Sequence, residues 1–334
     1  MRTTTLGRTT TVGVTELAFG GAAIGNLFTA VGDQDAAAAV EAAWDSGIRT
    51  FDTAPHYGLG LSERRLGEVL STKPRDQFAV STKVGRLLRP TTPTGDDSAN
   101  GFAVPATHRR VWDFSARGVR TGIEESLARL ALDRVDIVCL HDPDDHEDEA
   151  FGSAYPELER LRAEGVVGAI GVGMNQTRML ERFVRDTDVD VVLLAGRYSL
   201  LDHTGLTTLL PEAARRGVSV IVGGVFNSGL LADPRPGATY DYRPADRTLL
   251  GRALAIKAVC DRHGTPLRAA ALQFPLGHPA VAGVLVGART AEEVDDAARM
   301  IRHPVPAELW HSLRMHGLLP PDAPLPVVQE QHLR

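Results

Sequence analysis

Only two cysteines, Cys139 and Cys260, occur in 334 residues. Two unclustered cysteines make neither a disulfide framework nor a zinc pattern, and Cys139 lies in an apolar run, as a buried thiol does. This usage fits a reducing cytoplasm. No apolar run approaches membrane-spanning length, and Met1–Leu6 carries no apolar signal core. Net charge is −6 with mixed signs, and no basic run stands out. Nucleic-acid and membrane-surface partners are therefore not expected. A Gly-x-Gly-x-x-Gly after a strand is also missing. Gly20–Gly25 comes nearest, but its spacing is wrong and no helix opens directly from it. The open dinucleotide-binding sheet is disfavoured.

What is present is ample core material, at 43% hydrophobic and 23% charged residues. Residues 1–16 alternate Thr, Gly and Val and predict a small β-hairpin. Eight short apolar runs then alternate with helical patterns. The runs are Leu17–Gly21, Arg49–Asp52, Phe78–Lys83, Val135–Leu140, Val166–Val172, Val189–Leu194, Val218–Val222 and Val281–Val286. They lack strict alternation, which predicts burial on both faces, as in a parallel sheet. Eight βα units of about forty residues predict a closed (β/α)8 TIM barrel with an N-terminal hairpin and extra helices. No domain boundary interrupts residues 1–334. Asp33 or Asp35 is expected to cap the first helix, and Ser62 the second. Gly85–Trp112, rich in Pro, Thr, Gly and Asp, reads as a long irregular insertion of the kind that is functional or disordered.

The chain is organised around Phe51-Asp52-Thr53-Ala54-Pro55-His56-Tyr57-Gly58, where a strand ends in a carboxylate and a tyrosine follows a proline turn. Taken alone, Asp52 caps a turn and Tyr57 packs on a rim. Lys83, His141 and Asn175 follow at the ends of the next strands. Each has an ordinary reading: a snorkelling lysine, a core histidine, a helix cap. In a barrel, however, these strand ends converge on one mouth. A lysine ammonium favours the phenolate of a neighbouring tyrosine, a carboxylate holds the lysine, and an imidazole orients a substrate oxygen. Such a set moves a proton on a carbonyl or alcohol oxygen. It has no hydride of its own, so a nicotinamide cofactor is implied. The acidic run His141–His146 is better read as the end of this site followed by a solvated loop than as a metal centre.

With these residues the chain resembles the aldo-keto reductases over essentially its whole length. Asp52, Tyr57, Lys83 and His141 match that family's Asp-Tyr-Lys-His tetrad in order and strand placement. Within the family it is most similar to the bacterial aldose 1-dehydrogenase branch (D-threo-aldose and L-fucose dehydrogenases, with pyridoxal 4-dehydrogenase close by). The supporting strings are Leu140–Asp144, Gly171–Asn175, Gly196–Asp202 and Phe226–Leu231.

The resemblance implies a catalytic tetrad and a cofactor cleft. Asn175 would hold the nicotinamide amide and Tyr198 would stack on the ring. The family's usual glutamine is missing near Ala195, with Asn175 or Arg197 as substitutes. The loop Val225, Phe226, Ser228, Gly229 and Leu231 would cover the pyrophosphate, with Gly21 and Ala22 nearby. Gly287, Ala288, Arg289, Thr290 and Glu293 would lie along the adenosine ribose. Glu293 favours NAD by repelling a 2′-phosphate; Arg289 argues for NADP. Phe28, Phe102, Trp112 and tail residues would shape the substrate side. The implied reaction is oxidation of an aldose at its anomeric carbon to a lactone, with Tyr57 made more acidic by Lys83. The alternatives are an NADPH-dependent aldehyde or ketone reductase, a pyridoxal 4-dehydrogenase and a non-catalytic cofactor sensor. The sugar and the oligomeric state stay open.

Overall fold

In the computed structural model, which describes residues 1–7, 10–93 and 95–326, eight parallel strands close into a barrel. They are β1 (Leu17–Gly20), β2 (Thr50–Asp52), β3 (Ala79–Val84), β4 (Ile137–His141), β5 (Ala169–Met174), β6 (Val191–Ala195), β7 (Ser219–Gly223) and β8 (Val281–Gly287). Neighbours pair in chain order, and β8 closes on β1. The helices that pack outside include α1 (Asp33–Asp45), α2 (Leu61–Leu70) and α3 (Ala116–Leu130). Among the described residues no helix is long and apolar enough to cross a membrane.

The period-two alternation of strand side chains divides the core into two layers. Val80, Val84, Val138, Leu140, Ile170 and Val172 point outward and pack with the helices. Ile137, Cys139, Ala169, Val191, Leu193 and Ile221 point inward and fill the barrel. Leu6 and Val14 join this inner cluster from the predicted hairpin, Thr3–Thr5 with Gly13–Thr15. The hairpin thus plugs the end of the barrel opposite the strand C-termini.

Several local expectations are corrected. Strand β5 begins three residues later than predicted. In a parallel barrel apolar flanks and strand read alike, and Val166 is in fact exposed. Gly32, without a side-chain cap, precedes α1, and Asp33 and Asp35 lie inside its first turn, where the helix dipole favours them. Ser62 is not the cap of α2; Gly60 holds that position and the Ser62 hydroxyl bonds Thr53 Oγ1 at 2.8 Å. Glu63, fully buried, accepts from Arg129 Nε at 2.5 Å and from Thr82 Oγ1 at 2.9 Å, so its role is to tie α2 to α3 and β3. The insertion is not irregular but carries two antiparallel ribbons: Arg86–Pro90 pairs with His108–Trp112, and Asp96–Asp97 with Phe102–Pro105.

Helix α2 crosses α3 at Gly67, where a Cβ would lie 2.1 Å from the Leu130 carbonyl oxygen. Helix propensity alone favours alanine there by about 1 kcal/mol. A backbone carbonyl cannot swing aside, so overpacking of about 1–3 kcal/mol decides the sign. Gly67→Ala is expected to lower the thermal unfolding midpoint; a raised midpoint would show that the helices slide apart freely.

Candidate functional site

The same alternation that fills the barrel builds the site. Asp52, Lys83 and His141 occupy inward positions near the C-terminal ends of β2, β3 and β4, one step above Thr50, Ser81 and Cys139. Their register is fixed by ladder pairs: Asp52 with Ser81, Lys83 with Cys139 and His141 with Gly173. Gly173 leaves the space that the Lys83 stem crosses, since a Cβ there would touch Lys83 Cε at 3.6 Å. Tyr57 arrives from the loop after β2. Gly58, at φ +61°, lets that loop press on Gly25, whose carbonyl oxygen a Cβ would meet at 2.2 Å.

Lys83 and Asp52 are 2% and 3% exposed. Lys83 Nζ donates to Asp52 Oδ2 at 2.6 Å and to the Thr53 carbonyl at 3.0 Å. An ammonium has three donors. Nζ lies 4.8 Å from the centre of the Tyr57 ring. Burial opposes the Lys83 charge, but Asp52 and Tyr57 outweigh it and hold its pKa above the ordinary value. Tyr57 differs from expectation. Burial pushes its phenol up to about 12, and the downward pull of Lys83 only partly offsets this. Burial, helped by Arg86 and Lys83, holds His141 well below the usual imidazole range, so the ring is neutral. Its Nδ1 is buried with no partner among the described residues, and its Nε2 lies 3.6 Å from Asp142 Oδ2.

A cavity of about 450 Å³ opens above these groups. Phe28 and Phe102, expected on the substrate side, line it, together with His56 and Asp142, which sequence reasoning passed over. Both were within reach, since each adjoins a tetrad residue. Asp142 has φ +43° and pairs with Arg86 Nη2 at 2.5 Å. Strained backbone of this kind gathers at functional sites. Trp112 is not in the wall. It is 43% exposed, stacks on Phe114 at 5.8 Å and carries the Arg86 guanidinium over its face. The tail after residue 326 lies outside the described residues.

A second cavity, of about 690 Å³, continues from the first and shares Ala22, Phe28, Tyr57, Asn175 and Tyr242 with it. Val225, Phe226, Ser228, Gly229, Gly287, Arg289 and Glu293, expected along the cofactor, line it. Gly224, Asn227, Ser228 and Gly229 all have positive φ, which curls the backbone into a concavity of the kind that receives anions. At Gly224 a Cβ would lie 3.0 Å from the Gly196 amide nitrogen. The space, the backbone curl and the polar far end fit a dinucleotide.

Five of the expected cofactor contacts do not line this cavity. Gly21 lies behind the wall, where a Cβ would meet Ser62 Oγ at 2.4 Å. Leu231 and Ala288 are core residues. Thr290 caps the helix α4 (Ala291–Arg302), accepting from the Glu293 amide. Tyr198 is displaced most clearly. It is fully buried, its ring 5.1 Å from Phe274 and 6.0 Å from His278, because the chain turns under the barrel rim at Gly196. Arg197 is occupied by Asp241 at 2.7 Å. At the far end Arg289 pairs with Glu293 and Arg268 with Asp296, each at 2.7 Å, and Glu292 adds a further carboxylate to the wall. Among the described residues no group of three or more His, Cys, Asp or Glu is placed to hold a metal ion.

Comparison with known proteins places this geometry. The model of the Aldo/keto reductase family matches residues 16–317. A D-threo-aldose 1-dehydrogenase of Pseudomonas sp is 48% identical over 310 residues, covering 91% of this chain and 94% of that protein. A pyridoxal 4-dehydrogenase of Microbacterium luteolum is 38% identical, covering 94% of this chain and 97% of the other. The solved holo form of an aldo-keto reductase from Bacillus halodurans superposes over 100% of both chains with a TM-score of 0.75 at 24% identity, a likeness of fold.

Proposed function

Since the chain belongs to the aldo/keto reductase family, we propose that this oxidoreductase is an NAD-dependent aldose 1-dehydrogenase, oxidising a cyclic sugar at its anomeric carbon to a lactone. The observation that carries the reading is the buried chain Asp52–Lys83–Tyr57 ending in the cavity beside neutral His141. The aldose class is supported by the 48% identical relative.

A bound nicotinamide supplies the hydride acceptor. The protein's own groups handle the proton. The anomeric hydroxyl lies against Tyr57 and His141. His141, neutral, orients its oxygen by a hydrogen bond. As the hydride leaves the anomeric carbon, the hydroxyl proton passes to Tyr57 Oη. Lys83 stabilises the phenolate form of Tyr57, and Asp52 keeps Lys83 charged and aimed. Ala22 and Asn175 sit where the two cavities meet, and Asn175 would hold the nicotinamide amide.

The adenosine end supports NAD. Arg289 and Arg268 are both engaged by carboxylates, and Glu292 adds negative charge. A 2′-phosphate would have to break an ion pair and meet that charge. The expected result is at least tenfold higher kcat/KM with NAD than with NADP, narrowed by Glu293→Gln, which frees Arg289. Steady-state rates with both cofactors decide; a preference for NADP would reverse the assignment. The buried free thiols Cys139 and Cys260 support a reducing compartment such as the cytoplasm.

The direct test is an oxidation panel of L-fucose, D-arabinose, L-galactose, L-xylose and pyridoxal with each cofactor. Pyridoxal belongs there because of the 38% identical relative, and its cyclic hemiacetal also oxidises to a lactone. Turnover of aldoses with NAD is expected. Turnover confined to aldehyde reduction with NADPH would overturn the reading.

A further inference from the structure

A second imidazole faces the substrate cavity. His56 precedes Tyr57, and the insertion fixes its orientation. Arg110 Nε donates to His56 Nδ1 at 2.5 Å, and Arg110 Nη2 donates to the His56 carbonyl at 2.9 Å. Asp97, 4% exposed, accepts from the other edge of the same guanidinium at 2.8 and 2.6 Å. A guanidinium only donates. His56 Nδ1 is therefore the acceptor, and the ring proton sits on Nε2. Among the described residues no hydrogen bond engages that Nε2.

We propose that His56 is a substrate-binding residue whose Nε2–H donates to the hydroxyl on the sugar carbon next to the reacting one, and that Arg110 is the positioning residue that sets this tautomer. The proposal rests on the aldose reading above. Distances support it. The His56 ring lies 5.6 Å from the His141 ring and 6.2 Å from the Tyr57 ring. With those two on the anomeric oxygen, His56 stands about one ring substituent away. Besides the anomeric oxygen itself, two oxygens lie nearest: the ring oxygen, bonded to the anomeric carbon, and the hydroxyl on the next carbon. As the hydride departs, positive charge develops on the anomeric carbon and spreads to the ring oxygen. A donor aimed at the ring oxygen would oppose that step, whereas the neighbouring hydroxyl takes no part in it.

The neutral state matters for the same reason, because an imidazolium here would raise the barrier to hydride departure. Lys83, Arg86 and Arg110 surround His56, with Asp97 answering Arg110 and Asp142 answering Arg86. Burial first, then these cations, press the imidazole down to about 2. The insertion thus supplies a donor that does not switch with pH.

Two measurements test this. The first compares L-fucose and L-galactose with their 2-deoxy analogues as substrates of wild type, His56→Leu and His56→Gln. His56→Leu is expected to lower kcat/KM for the parent sugars about ten- to a hundredfold, at least tenfold more than for the deoxy sugars. His56→Gln, which keeps an acceptor for Arg110 and a donor for the hydroxyl, is expected to recover part of the loss. Equal losses on parent and deoxy sugars would overturn the substrate contact. The second reads the imidazole nitrogens of the wild type by NMR, with His56 identified by its disappearance in His56→Gln. A neutral Nε2–H ring that stays constant over about pH 5 to 8 is expected. Titration near the ordinary value of about 6.5, or a proton on Nδ1, would overturn the role of Arg110. If wild type oxidises no aldose, the functional reading fails and the substrate contact with it; the NMR result stands apart.

Discussion

Tyr57→Phe is expected to lower kcat for sugar oxidation by about 10²- to 10⁴-fold, the usual contribution of a positioned proton acceptor. The substitution removes one oxygen and keeps the ring, so packing against Phe102 at 6.2 Å and the position of Lys83 beneath it persist. Cofactor affinity, read by fluorescence titration, should change little. Turnover within about threefold of wild type would remove Tyr57 from the proton path. The pH profile gives a second readout. With Tyr57 at about 12, the phenol is protonated at neutrality. In that state it donates a proton readily and accepts one poorly. Oxidation rates should therefore climb with pH through the alkaline range, whereas carbonyl reduction should weaken as pH rises. A flat oxidation profile would assign the proton to another group.

Lys83→Met is expected to abolish measurable turnover and to destabilise the fold by about 3–5 kcal/mol, the effect of leaving one partner of a buried ion pair uncompensated. Lys83 supplies the partner seen at Asp52 Oδ2, while Asp52 Oδ1 already has none. The distinguishing variant is Asp52→Asn with Lys83→Met. Removing both charges should recover much of the stability, because the desolvated carboxylate is gone, yet restore no activity, because nothing then stabilises the phenolate. Thermal unfolding and single-turnover kinetics separate the two effects. Recovery of turnover in the double variant would show that the pair is structural only.

The convergence of Asp52, Lys83 and His141 was legible in the sequence because each ends an apolar strand, and strand ends in a barrel share one mouth. Inward parity then follows from the side-chain period. What was not legible depended on contacts distant in sequence. The ribbon of Arg86–Pro90 with His108–Trp112 carries no hairpin turn signal and no clean alternation, so its ladder is invisible locally. Tyr198 illustrates another limit. Position after a strand does not say which way the chain turns, and Gly196 at φ +72° sends it under the rim. Ser62 has a cap-like residue type, but its hydroxyl is used by Thr53 across a loop that only the fold brings near. His56 was hidden for the opposite reason. It stood in the motif itself, while its partners Arg110 and Asp97 lay in the segment read as irregular.

Among the described residues the antiparallel ribbons of the insertion form no ladder with the eight barrel strands. Their ladders are their own, and they reach the barrel's loops through the Leu27–Phe102 bridge and the side chains of Arg86 and Arg110. The chemistry and the choice of substrate are therefore written on parts of the molecule that can vary separately. Length or sequence changes between residues 85 and 112 can reshape the mouth while the tetrad keeps its register. A lineage carrying this barrel can acquire a new sugar preference by exchanging a surface module, with the proton path inherited intact.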